Sequence, residues 1–192
     1  MRSNPSEPSR IFTPRLLVLT GLIAFAVAFR LLAHFQPGSL PYNFTPIAAI
    51  ALFGGAYFRH RLLAFVVPLG AMFLSDAVIG LATLSPLVYL CFAAMVLVGM
   101  GVLRGRTGAL RVGLTAVGSA TGFYLVTNFA VWLGSGMYAM TASGLAACYL
   151  AGLPFYTYGS LPGTLLWSGV LFGGFALLSR RYAVLRIAPA AA

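Results

Sequence analysis

The chain has 192 residues, 60% of them hydrophobic and 7% charged, with a mean hydropathy of +0.96; this excludes an ordinary soluble domain and marks an all-α integral membrane protein. Its net charge of +10 comes from twelve basic residues, all arginine, set in small groups between apolar runs rather than along a stripe, which argues against a nucleic-acid partner. With no lysine there is no phosphate-loop lysine and no Schiff base, so the chain carries no ATP site of its own and any ATP that drives it is hydrolysed by a partner.

Residues 1–14, polar and proline-bearing, predict a disordered cytoplasmic N-terminus; a six-helix transmembrane domain follows over 15–180, and 181–192 form a cytoplasmic tail. A hydrocarbon core about 30 Å thick takes roughly 20 apolar residues per helix. Spans are predicted at roughly 15–34, 45–58, 62–81, 86–103, 109–133 and 161–179. The first reads as a retained helix rather than a signal peptide, because Arg30 interrupts it and no small-residue cleavage site follows. The second is short enough to need shielding by its neighbours. The apolar stretch 143–153 is too short to cross, so it falls within a long outer loop between helices 5 and 6 that can hold a re-entrant or surface helix.

Arginines set the orientation. Arg2, Arg10 and Arg15 precede the first helix, Arg59 and Arg61 join the second to the third, Arg104, Arg106 and Arg111 join the fourth to the fifth, and Arg180, Arg181 and Arg186 follow the sixth. Every second connection is basic, so both termini are expected in the cytoplasm of a multi-pass protein of the bacterial inner membrane. The outer connections, rich in Pro, Gly, Tyr and Asn, suggest a lidded pocket on the outer face.

Polar side chains concentrate in that outer half. Asp76, the sole acid of the membrane region, must face the bundle interior, either paired with Arg30 or turned to a ligand. Asn128 and Trp132 lie four residues apart on one face of the fifth helix, with Thr121 and Thr127 below them. Asn43 and Thr45 stand in YNFTP, where they can cap the second helix or meet a ligand. His34, Tyr89 and Cys91 map to the same half. Cys91 is either a packed apolar residue or a pocket-wall thiol. Cys148 keeps the packing reading. Gly21, Ala24 and Ala28 share one face of the first helix, where small residues let a second helix approach.

The series NFTPIAAIALFGGAYF, VPLGAMFLSD, TNFAVWL and GLAACYLAGLPF resembles bacterial membrane proteins that are similar to the S components of energy-coupling factor (ECF) vitamin transporters, over about residues 15–180. A cysteine in the outer part of the fourth helix resembles the BtuM type, cobalamin transporters in which such a residue is the axial ligand to cobalt. The resemblance implies an S-component bundle that binds cobalamin in an outward-facing pocket and carries it across the inner membrane, with Cys91 as the cobalt ligand. It implies that Tyr89, Trp132, Tyr156 and Tyr158 pack on the corrin ring, that Asn43, Asp76 and Asn128 meet its amides, and that Thr45 and His34 complete the site. A thiolate opposite cyanide could also promote its loss from cyanocobalamin. Docking to an ECF transmembrane coupling subunit with its ATPases would use Gly21, Ala24 and Ala28. Many relatives place an Asn-Thr-Leu-x-Gly-Asp sequence after GLPF; here it reads PFYTYGSLPGTLL, without the acid.

Three alternatives stay open at this point: an S component for another vitamin or small molecule with Cys91 structural, a membrane enzyme using Asp76 and His34, and an assembly subunit with no small ligand.

Overall fold

The computed structural model describes residues 14–58, 60–81 and 85–182, with side chains in its first helix described from Gly21 onward. The expected disordered segment and tail lie, apart from Pro14, Arg181 and Tyr182, outside the described residues. Six helical runs make up the fold: α1 (Pro14–Phe35), α2 (Ile47–Tyr57), α3 (Arg61–Ile79), α4 (Pro86–Leu103), α5 (Ala109–Gly134) and α6 (Ala142–Arg181). There is no strand among the described residues. Four runs, α3 to α6, are long and apolar enough to cross a membrane; α2 and the described part of α1 from Gly21 are shorter.

The core is α2. Every residue from Ile47 to Ala56 is buried, enclosed by α3, α4 and α6. A helix that is apolar on all faces belongs in such a place, which is why a segment only 11 residues long is stable there. Its partners in the core are apolar side chains of modest size: Ala64, Ala71 and Met72 of α3, and Met95 and Val96 of α4. At one end of the bundle Phe53 and Tyr57 of α2 stack against Phe172 and Phe175 of α6, with ring centroids 4.3–5.7 Å apart. The same end holds the described arginines between and after the helices. Arg104 there donates from Nη2 to the Phe58 carbonyl at 2.7 Å, which satisfies a carbonyl just past the C-terminus of α2.

Outward faces are as apolar as the core: Phe73, Leu97, Leu114, Leu150 and Leu177 are all at least half exposed. In water this would be a large aggregation surface; in lipid it costs nothing. This is the architecture of an all-helical, multi-pass membrane protein.

Five runs start and stop close to the predicted limits. The sixth is a correction. The stretch 143–153 does not sit in a loop but continues without a break into the predicted sixth helix, giving 40 residues from Ala142 to Arg181 and leaving only 135–141 as a non-helical connection from α5. Pro154 and Pro162 lie inside this run, and a proline within a helix removes an i to i−4 hydrogen bond. Here the backbone widens into π-type turns at Phe155–Ser160, just after Pro154, and again at Gly169–Gly173; such turns absorb a missing i to i−4 bond. Thr141 starts the helix by accepting a hydrogen bond from the Gly144 N–H at 3.1 Å. α5 then braces it along its length.

Candidate functional site

The residues singled out in the sequence fall into four places rather than one outer pocket, with His34, Tyr158 and the face of Gly21, Ala24 and Ala28 exposed. The first is a buried ion-pair network. Asp76 on α3 is fully buried (0% exposed), which in a lipid environment demands a partner. Arg30 on α1 provides it, with Nη2 2.6 Å from Asp76 Oδ1. Tyr89 on α4 donates its hydroxyl to Oδ2 at 2.7 Å. The guanidinium also donates from Nη1 to Ser75 Oγ at 2.6 Å and to the Met72 carbonyl at 3.2 Å. Three helices are therefore tied by one carboxylate. His34, one turn beyond Arg30, is exposed and stacked edge-on against Phe35 at 5.0 Å, and no ion pair joins it to Asp76 among the described residues.

The second place is a small chamber of about 40 Å³ at the far end of α2, with Asn43, Thr45, Ser160 and Thr164 among its lining. It has room for a few waters and no more. Its lid is the connection between α1 and α2, held down by close backbone approach to α6. A side chain at Gly159 would strike the Tyr42 carbonyl, and one at Gly163 would meet Phe44 Cα at 3.1 Å. Asn43 turns the lid with a positive φ of 64°, a conformation that asparagine tolerates better than most residues. Thr164 donates its hydroxyl to the Ser160 carbonyl at 2.7 Å and Ser160 donates to Phe155 at 3.3 Å, so both hydroxyl oxygens keep free lone pairs.

The third place is a lateral cleft of about 360 Å³ between α4 and α5, lined by Cys91, Val98, Val102, Gly118, Ser119 and Val126 among others. Cys91 is half-buried on its wall and reduced. Ser119 Oγ is buried with no hydrogen-bond partner among the described residues. Met95 and Phe123 line both the cleft and the chamber. Those two side chains, with Phe92 stacked on Phe123 at 5.4 Å, are the wall between a polar space and an apolar one.

The remaining predicted contacts are spent on the seam between α5 and α6. Asn128 donates to the Tyr124 carbonyl at 2.8 Å and packs against Gly152, where a Cβ would strike its amide. Trp132 donates from Nε1 to the Ala139 carbonyl at 2.9 Å and closes the short 135–141 connection. Tyr156 shares a 2.8 Å hydrogen bond with Thr121, and Cys148 donates to the Asn128 carbonyl at 3.3 Å. Tyr158 is 70% exposed. Gly21, Ala24 and Ala28 present an open face on α1. Sequence reasoning missed Tyr124 and Tyr149, which cross-link the seam, and the chamber pair Ser160 and Thr164. The last two stand four residues apart in SLPGT, a spacing visible in the sequence once that segment is known to be helical.

Over residues 10–188 the sequence matches a described family of unknown function, DUF6580. The chain belongs to DUF6580. No curated protein and no solved structure matches it. The geometry of this DUF6580 chain therefore comprises a buried ion pair, a small chamber lined in part by an amide and hydroxyls, and an open thiol-bearing cleft sharing a wall with that chamber.

Proposed function

We propose that this DUF6580 protein is a membrane uptake protein that binds a small nutrient between α4 and α5 and carries it across the membrane, and that the nutrient is a cobalamin whose cobalt is ligated by Cys91. The observation that carries this reading is the position of Cys91: its thiol lines a cleft of about 360 Å³ rather than packing inside a helix interface, as Cys148 does. A soft thiolate suits cobalt. The cleft volume falls in the range of small-molecule sites, about 300 to 1,000 Å³. A corrin ring is larger than the cleft as it stands, so binding on this reading separates α4 from α5 and opens the Met95–Phe123 wall. The chamber hydroxyls and Asn43 then meet the corrin amides.

In this reading all six helices cross the membrane, both termini lie on the arginine side, and that side is the cytoplasm of the bacterial inner membrane, as the positive-inside rule requires. The lysine-free chain has no ATP site, so energy comes from an ECF-type coupling subunit docked on the open Gly21, Ala24 and Ala28 face, or from no ATPase at all. A second reading, a smaller vitamin held in the chamber with Cys91 uninvolved, is favoured by one observation: the chamber is the space lined by an amide and hydroxyls together.

The test is spectroscopic. Purified protein incubated with cyanocobalamin is expected to retain a coloured ligand and shift its absorption bands, and Cys91→Ser is expected to abolish the shift. Retention of no corrinoid at micromolar concentration overturns the cobalamin reading. Retention with an unchanged spectrum in both proteins removes Cys91 from cobalt.

A further inference from the structure

We infer that the α4–α5 cleft is a binding site for one anionic phospholipid, with an acyl chain in the cleft and the phosphate held by Arg106 and Arg111. This does not rest on the cobalamin reading, because it uses the apolar walls of the cleft and the arginines beyond its mouth and needs no bond to the Cys91 thiol.

The first support is dimension. The α5 wall runs from Thr115 to Val126 and the α4 wall from Val102 to Cys91. Each is twelve residues, eleven steps, or about 16 Å at 1.5 Å per residue. Half of a hydrocarbon core is about 15 Å deep. The cleft therefore matches the depth of one leaflet, parallel to the lipid chains.

The second is chemistry along that length. Val98 and Val102 form an apolar wall, and Gly118 and Gly122 on α5 leave it hollow, since a Cβ at either would meet nothing within 4 Å. A flexible hydrocarbon chain fills such a space with van der Waals contact and needs no hydrogen-bonding partner.

The third is charge. On α5, Arg111 stands four residues before Thr115 and seven before Gly118, so it continues the cleft-lining face by one turn towards the arginine end. Arg106 is in the short turn that joins the two cleft helices. Both are exposed. The chain has only two acidic residues, Glu7 and Asp76, against twelve arginines, and Asp76 is buried with Arg30. Few acids are therefore present in the chain to balance the positive charge at the cleft mouth. The anionic headgroups of the cytoplasmic leaflet supply that balance on the side where arginines collect.

The experiment uses the full chain in mild non-ionic detergent, incubated with equimolar palmitoyl-oleoyl phosphatidylglycerol and phosphatidylcholine and read by native mass spectrometry. The wild type is expected to carry one phosphatidylglycerol in at least about fivefold excess over phosphatidylcholine, the effect of about one neutralised arginine. Arg106→Gln with Arg111→Gln is expected to bring that ratio to near one. Gly118→Leu with Gly122→Leu, whose Cβ atoms meet nothing within 4 Å, is expected to cut both adducts several-fold while helicity by circular dichroism stays that of the wild type. Cys91→Ser is expected to keep the wild-type ratio, so loss of the cobalamin shift and loss of lipid selectivity are separable. Equal binding of the two lipids by the wild type overturns the proposal, as does an unchanged adduct in the glycine variant. A protein dimer that forms without lipid and depends on Gly118 and Gly122 overturns it in favour of a second copy of this chain.

Discussion

Gly55 on α2 and Gly99 on α4 face each other where the two helices cross, and neither position has room for a Cβ. At Gly55 an added methyl would strike the Val96 carbonyl, and at Gly99 it would strike the Leu52 carbonyl. Backbone touches backbone, so no rotamer change relieves the clash. This contact seats α2 in the core and fixes the depth of α4, and with it the level of Tyr89 and Cys91.

Gly99→Ala is therefore expected to destabilise the protein by about 1 to 3 kcal/mol, the usual range for overpacking, and Gly99→Val by more. Gly118→Ala, on the cleft face of α5 with nothing within 4 Å of its new methyl, is expected to stay within about 0.5 kcal/mol of wild type. Thermal unfolding in detergent, followed by circular dichroism, checks both; equal effects at the two glycines would count against the crossing.

The ion pair makes a second prediction. Removing Arg30 as Arg30→Ala leaves a buried carboxylate with its cationic partner gone, which costs about 3 to 5 kcal/mol. Tyr89→Phe removes one hydrogen bond to a charged acceptor, worth about 1.5 to 3 kcal/mol. Arg30→Met combined with Asp76→Leu takes away both charges and is expected to recover most of the loss seen in Arg30→Ala. Failure of the double variant to recover, in the same melting assay, would show that the network does more than join α1, α3 and α4.

The seam between α5 and α6 gives a third. Gly152→Ala pushes a methyl into the Asn128 amide and is expected to cost about 1 to 3 kcal/mol. Asn128→Ala clears that space, so the double variant is expected to be more stable than Gly152→Ala alone. Additive losses would mean that the two residues do not touch.

The six helices were legible because an apolar run between polar punctuation needs no tertiary knowledge, and Pro86 at the first turn of α4 marks its start well. The extent of α6 was not, since whether Pro154 ends a helix or is absorbed by a wide turn depends on the brace that α5 provides. The scatter of the site has a simpler cause. Depth can be read by counting residues, but facing cannot. Tyr89 and Cys91 are two residues apart and so point about 200° apart around α4, one to Asp76 on α3 and the other to the cleft beside α5. Asn128 and Trp132 do share a face, as their spacing predicts, yet that face is covered by α6 and its connection. Shared depth suggested one pocket; the faces divide it.

The two thiols provide the most direct check on that division. Cys148 is 1% exposed and its thiol is committed to the Asn128 carbonyl, whereas Cys91 stands half-buried on the wall of a cleft open to the side of the bundle. Access decides which one a reagent finds. A small membrane-permeant maleimide is expected to modify one thiol per chain in the folded protein and two after denaturation in sodium dodecyl sulfate, with Cys91→Ser reducing the folded count to zero. Gly122→Phe, which adds a ring to the cleft without a backbone clash, is expected to slow modification of Cys91 at least several-fold while leaving the denatured count at two. Mass spectrometry of the intact chain reads each count. Modification of Cys148 before Cys91 would place the open surface on α6 instead, and neither the ligand proposed at Cys91 nor the proposed lipid would have a cleft to enter.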